Sequence, residues 1–156
     1  MSIGPDPDVE AAGFSERELA GYIGAADALE ARSYAMRLLS VARLARRRRG
    51  GRGLGTVDGR GGPGVDARAL ADPVLAGVDE DLVAELALIR GCTEAEAHTV
   101  LREAVLATTV LAPSWRALNA GRIGPRHLRA LVDLLGDAAP EVAVEVQRRV
   151  LPAPTG

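Results

Sequence analysis

The chain has 156 residues, enough for one helical core plus loose segments, and its formal charge of −2 rules out a global basic field of the kind that advertises nucleic acid. All of its basic residues are arginine, and its single cysteine, Cys92, excludes an internal disulfide framework and fits a reducing compartment. The opening MSIGPDPDVEAAG carries acids and prolines where a leader needs basic and then apolar residues, and no window holds an uncharged apolar span, so the expected setting is cytoplasmic, with no membrane partner.

In chain order, residues 1–14 read as a disordered tail, because Pro, Gly and Asp replace any apolar period. Ser15 to Glu18 is a capping-box sequence, and Phe14 is placed to staple the helix start. Leu19, Ile23, Ala26, Leu29, Tyr34, Leu38, Val41 and Leu44 then recur at helical steps, predicting one long amphipathic helix over 15–49. The Gly-rich residues 50–64 open a linker that runs to 78, since glycine loses too much backbone entropy in a helix and Pro63 removes a donor.

A compact block is predicted over 79–151, followed by a tail over 152–156. Its first helix starts at Asp79, buries Leu82, Val83, Leu86 and Ile89, and stops at Gly91. Thr93 to Glu96 is a second capping box, opening a helix expected to run to about Ala112, before Pro113. A short segment from Ser114 to Ala120 ends on Gly121, with Trp115 as its packing anchor. Pro125 opens the next helix, capped at Gly136, and Pro140 opens the last, with Val142, Val146 and Val150 as its apolar period. No alternating strand pattern occurs. The expected class is all-α: a long N-terminal helix plus a bundle of four to five shorter ones.

The spacing from Leu82 to Leu101, with small Ala87 and a turn glycine at Gly91, resembles a helix-turn-helix. Glu94 and Glu96 open its second helix, where a reader of the major groove avoids acids, so an ordinary hairpin within a bundle is preferred. The run Arg46, Arg47, Arg48 and Arg49, followed by Arg52, is the one concentrated positive stretch. It reads either as phosphate-following guanidiniums or as a solvated helix end whose cations suit the helix dipole.

Cys92, Glu94, His98 and His127 match no compact zinc spacing, so no metal and no cofactor is expected. Glu94 with His98, and His127 with Asp133, read as helix-surface pairs. No nucleophile is placed beside a base, and the chain is expected to be neither an enzyme nor a small-molecule binder. Two classes of partner remain. Duplex DNA is the first, through the arginine run. Self-association through the long helix is the second, because its apolar stripe is too long for so small a bundle to cover; Leu38 is expected in that pairing face.

Several segments occur in an order that carries more information than any one of them. These are Ala84 to Leu88, Gly91 to Ala97, Leu111-Ala112-Pro113, Ala117 to Ile123, and Val146 to Pro152. Together they resemble the actinobacterial domain of unknown function 222, over about half the chain. Members of that family usually precede an HNH nuclease module, so the resemblance implies a non-catalytic, DNA-linked accessory domain. No His-Asn-His cluster is present in this sequence, and the nuclease step is not expected of it.

Overall fold

The computed structural model describes residues 13–48, 72–79 and 81–153. Among them are six α-helices, one 3₁₀ turn at Pro73–Leu75, and no strand. The helices are α1 (Glu16–Arg48), α2 (Asp81–Arg90), α3 (Glu94–Ala107), α4 (Ala112–Asn119), α5 (Pro125–Leu135) and α6 (Pro140–Val150). The all-α class, with a long first helix and a compact bundle, is what the periodicity predicts. The Gly-rich stretch, Arg49 and Arg52 lie outside the described residues, as do the first twelve residues and the last three.

The start of α1 is capped as its sequence dictates. The Ser15 amide and hydroxyl both donate to Glu18 Oε2, at 2.8 and 2.7 Å, while the Glu18 amide donates back to Ser15 Oγ at 3.3 Å. Phe14 packs edge-on against Tyr22 with ring centroids 5.1 Å apart. The same device opens α3, where Thr93 and Glu96 form a complete capping box. Between α2 and α3 the chain turns at Gly91, whose φ of 61° suits a residue without Cβ.

The long helix has two unlike halves. From Ala31 to Ala45 it buries Tyr34, Leu38, Val41 and four alanines in the bundle, whereas none of its residues from Glu16 to Glu30 is buried. The C-terminal half is therefore built into the core and the N-terminal half stands out as an arm. Helix α3 lies at the centre, touching α1, α2, α4, α5 and the 3₁₀ turn. Ala97, Ala104 and Ala107 on α3 and Ala31, Ala35, Ala42 and Ala45 on α1 are buried, and such small side chains let backbones approach closely. Leu38, Leu82, Leu101, Leu111, Leu118 and Leu128 fill the remaining space. Each fully buried leucine contributes about 1.5–3 kcal/mol of transfer energy.

Four expectations need correction. Leu38 is fully buried inside its own bundle, so it does not form a pairing face. Ile89 is 66% exposed, because the buried side of α2 is centred on Leu82, Leu86 and Ala87 and Ile89 lies off to one edge. Helix α3 stops at Ala107, well before Ala112. The Thr108 and Thr109 hydroxyls there turn back onto the carbonyls of Ala104 and Val105 at 2.9 and 2.7 Å, and Pro113 sits inside the first turn of α4, where no donor is needed.

The fourth correction concerns α6, which buries Ala143 and Gln147 and leaves Val142 and Val150 exposed. Gln147 sets that rotation. Its Oε1 accepts from the Ser114 amide at 3.2 Å and hydroxyl at 2.8 Å, and its Nε2 donates to the carbonyls of Val110 and Ala143, both at 3.0 Å. A buried amide with all four of its hydrogen bonds made is a directional lock that apolar periodicity does not reveal.

Candidate nucleic-acid interface

The expected basic site is divided in the fold. Arg46 and Arg47 are exposed in the last turn of α1, where their charge suits the helix dipole. Arg48 is committed elsewhere: its guanidinium bonds Glu85 at 2.6 Å and stands 3.6 Å from Asp79, fastening α1 to the start of the second block.

A second basic surface, which the sequence did not single out, is assembled from three separated segments. The arm of α1, the loop joining α4 to α5 and the first turn of α5 enclose an open trough of about 910 Å³. Arg37 lines it from α1, Arg122 from the loop, and Arg126, His127 and Arg129 from α5; Asp27 and Glu30 are the acids on its α1 side. Four arginines against two acids leave a local excess of positive charge on a chain whose total is −2. Helix α5 follows Gly124, an N-cap residue with no side chain to cap it, so its positive end adds to the field along this wall. The trough is open to solvent and suits an extended anion better than an enclosed small molecule.

Its floor depends on one glycine. Gly121 ends α4 with φ of 70°, and a Cβ placed there would come within 3.0 Å of Ala28 Cβ and 3.3 Å of Ala28 Cα. Only a residue without a side chain lets the loop lie this close to α1. The neighbouring Arg122 donates from Nη1 to the Pro152 carbonyl at 2.8 Å.

Behind the trough stands a buried polar cluster. The Tyr34 hydroxyl donates to Glu103 Oε2 at 2.8 Å and accepts from Arg129 Nε and Nη2 at 3.3 and 3.1 Å. The Arg129 guanidinium also lies 5.1 Å from the Tyr34 ring centre, and that of Arg37 lies 5.6 Å from it. Glu103 is only 3% exposed and its Oε1 has no hydrogen-bond partner. Burial pushes its carboxyl above the usual range, opposed by the Tyr34 bond. Burial likewise raises the Tyr34 hydroxyl, with Glu103 adding to the effect. The cluster holds Arg129 at the trough wall and ties α1, α3 and α5 together.

The other sequence candidates are scattered. His98 faces Asp72, with Nε2 4.0 Å from Oδ2, rather than pairing with Glu94. Asp72 is engaged by Arg102 Nε at 2.9 Å, and Arg102 reaches on to Asp137 at 2.7 Å. Cys92 is half-buried at the α2–α3 turn, while His127 lines the trough. Among the described residues no group of three or more His, Cys, Asp or Glu is gathered where it could hold a metal ion. Trp115 Nε1 donates to the Ala35 carbonyl at 2.9 Å, docking α4 on α1. In the helix-turn-helix-like pair α2 lies at the edge of the bundle with Leu88 and Ile89 exposed, whereas α3 is packed on several sides and exposes chiefly Glu94, Ala95, Glu96 and Thr99. That surface is acidic and repels phosphate. No helix among the described residues is long and apolar enough to cross a membrane.

No family model, curated protein or solved structure matches the chain.

Proposed function

We propose that this chain is a non-catalytic binding module that holds duplex DNA weakly through phosphate contacts in the trough between the α1 arm and α5. The observation that carries this reading is the convergence of Arg37, Arg122, Arg126 and Arg129 on one open surface from segments far apart in sequence. Guanidiniums positioned by a rigid scaffold neutralise phosphates and release counterions, which gives affinity without base recognition. Arg46 and Arg47 provide a second, simpler contact at the end of α1. Asp27 and Glu30 keep the binding weak.

The resemblance to domain of unknown function 222 adds the setting: an accessory domain that positions a nuclease module on DNA. The α2–α3 hairpin has no part in reading bases in this proposal, because its exposed end is acidic. Fluorescence anisotropy with a labelled duplex, at several salt concentrations, tests the reading. Arg122→Ala with Arg126→Ala should weaken binding and flatten its salt dependence. Retention of both by that variant counts against the trough.

A further inference from the structure

Apart from Ile23, which continues the buried stripe, the exposed large apolar residues of α1 are not an overrun of that stripe. Leu19, Tyr22, Ala26, Leu29, Ser33 and Met36 follow one another at steps of three and four residues, the alternation of a coiled-coil seam. At about 100° per residue this seam is centred roughly 150° away from the face that packs on the bundle. Leu19, Tyr22, Leu29 and Met36 are 39%, 58%, 69% and 55% exposed, and among the described residues only Phe14, at the edge of Tyr22, makes a ring contact with the seam. Ser33, Met36 and Ser40 stay exposed even where α1 lies on the bundle, leaving room for a second helix there.

We propose that α1 pairs with α1 of a second copy of this chain, antiparallel, in the register that sets Leu19 against Met36, Tyr22 against Ser33 and Ala26 against Leu29. Two properties of the sequence select this arrangement. The first is volume. Each large seam residue meets a smaller or flexible one, whereas a parallel in-register pair sets Ala26 on Ala26 and Ser33 on Ser33 and leaves gaps.

The second is charge. In the antiparallel register Glu16 falls beside Arg37 of the other copy, twice by symmetry, and Glu30 falls beside Ile23, so no like charges meet. In the parallel register Arg32 falls beside Arg37 and no opposite charges meet at all. The seam spans about 26 Å at ~1.5 Å per residue, comparable to a short two-stranded coiled coil. The pairing does not rest on DNA binding: of its seam residues only Ser33 also lines the trough, and Glu30 and Arg37 border both surfaces.

Two measurements on the full chain test it. Sedimentation at tens of micromolar should give a dimer, and Leu29→Asp, on the arm and outside the core, should give a monomer with unchanged helical circular dichroism. Spin labels on Arg17→Cys, in a Cys92→Ser background, should lie about 30 Å apart along the helix axis in the antiparallel register, against roughly 10 Å side by side in a parallel one. A monomeric wild type, a Leu29→Asp dimer, or labels close together would each overturn the proposal.

Discussion

Tyr34 and Glu103, 69 residues apart in sequence, share a 2.8 Å hydrogen bond in the interior, and that bond joins the long first helix to the central one. The tyrosine also carries Arg129 on its hydroxyl. A carboxyl with one unpartnered buried oxygen makes this junction sensitive to protonation.

The sign follows from the raised folded-state value. Between the unfolded carboxyl value and the higher folded one, the native state holds the proton more tightly, so stability falls as pH rises. The contribution is complete below the unfolded value and is lost through the folded one. Glu103→Gln, which cannot ionise, should therefore gain stability relative to wild type as pH is raised from about 4 toward neutrality. Urea melts across that range check it; a constant difference between the two proteins would dissociate Glu103 from the pH dependence.

Gln147 should be more costly to replace than its place among valines suggests. Gln147→Met keeps the volume but leaves the Ser114 hydroxyl and amide and the Val110 carbonyl without their buried partner. At about 1–3 kcal/mol for each unsatisfied buried group, the variant should lose at least ~2 kcal/mol. Ser114→Ala, which removes one hydroxyl, should lose about 1 kcal/mol. Equal midpoints for Gln147→Met and wild type in thermal melts would refute the lock.

Gly121 and Gly91 both have positive φ, yet only at Gly121 would an added methyl group meet a neighbour, Ala28. Alanine at either position incurs the left-handed backbone cost of about 1–2 kcal/mol. Gly121→Ala should cost more than Gly91→Ala by the clash with Ala28. Adding Ala28→Gly should recover part of that excess despite glycine's poorer helix propensity, of about 1 kcal/mol. Equal losses for the two glycines would mean that the close approach to α1 is not maintained in solution.

The helices themselves were legible because capping boxes and proline positions are local. Ser15 with Glu18, Thr93 with Glu96, Pro125 and Pro140 each mark a helix start, and all four starts lie where those residues place them. Which face a helix buries is not local. Val142 and Val150 have the right period, but the polar grip of Gln147 outweighs them, and Ile89 is apolar yet uncovered. The candidate site was hidden for the same reason. Arg37, Arg122, Arg126 and Arg129 are unremarkable singly in an arginine-rich chain, and only the fold brings them to one trough. The run at Arg46 was conspicuous, but Arg48 within it is taken up by Glu85 and Asp79. An acid at Glu103 flanked by Leu101, Ala104 and Val105 was the one readable sign of a buried polar cluster.

The salt dependence of duplex binding, compared between wild type, Arg122→Ala with Arg126→Ala, and Arg46→Ala with Arg47→Ala, tests the central claim most directly. Each phosphate neutralised contributes about 0.9 to the slope of log affinity against log salt. The trough variant should lower the slope by up to about 2 and the helix-end variant by less, with circular dichroism unchanged in both. Absence of binding by the wild type at low salt, or a slope that responds only to Arg46 and Arg47, would contradict the assignment of the trough as the DNA-contacting surface.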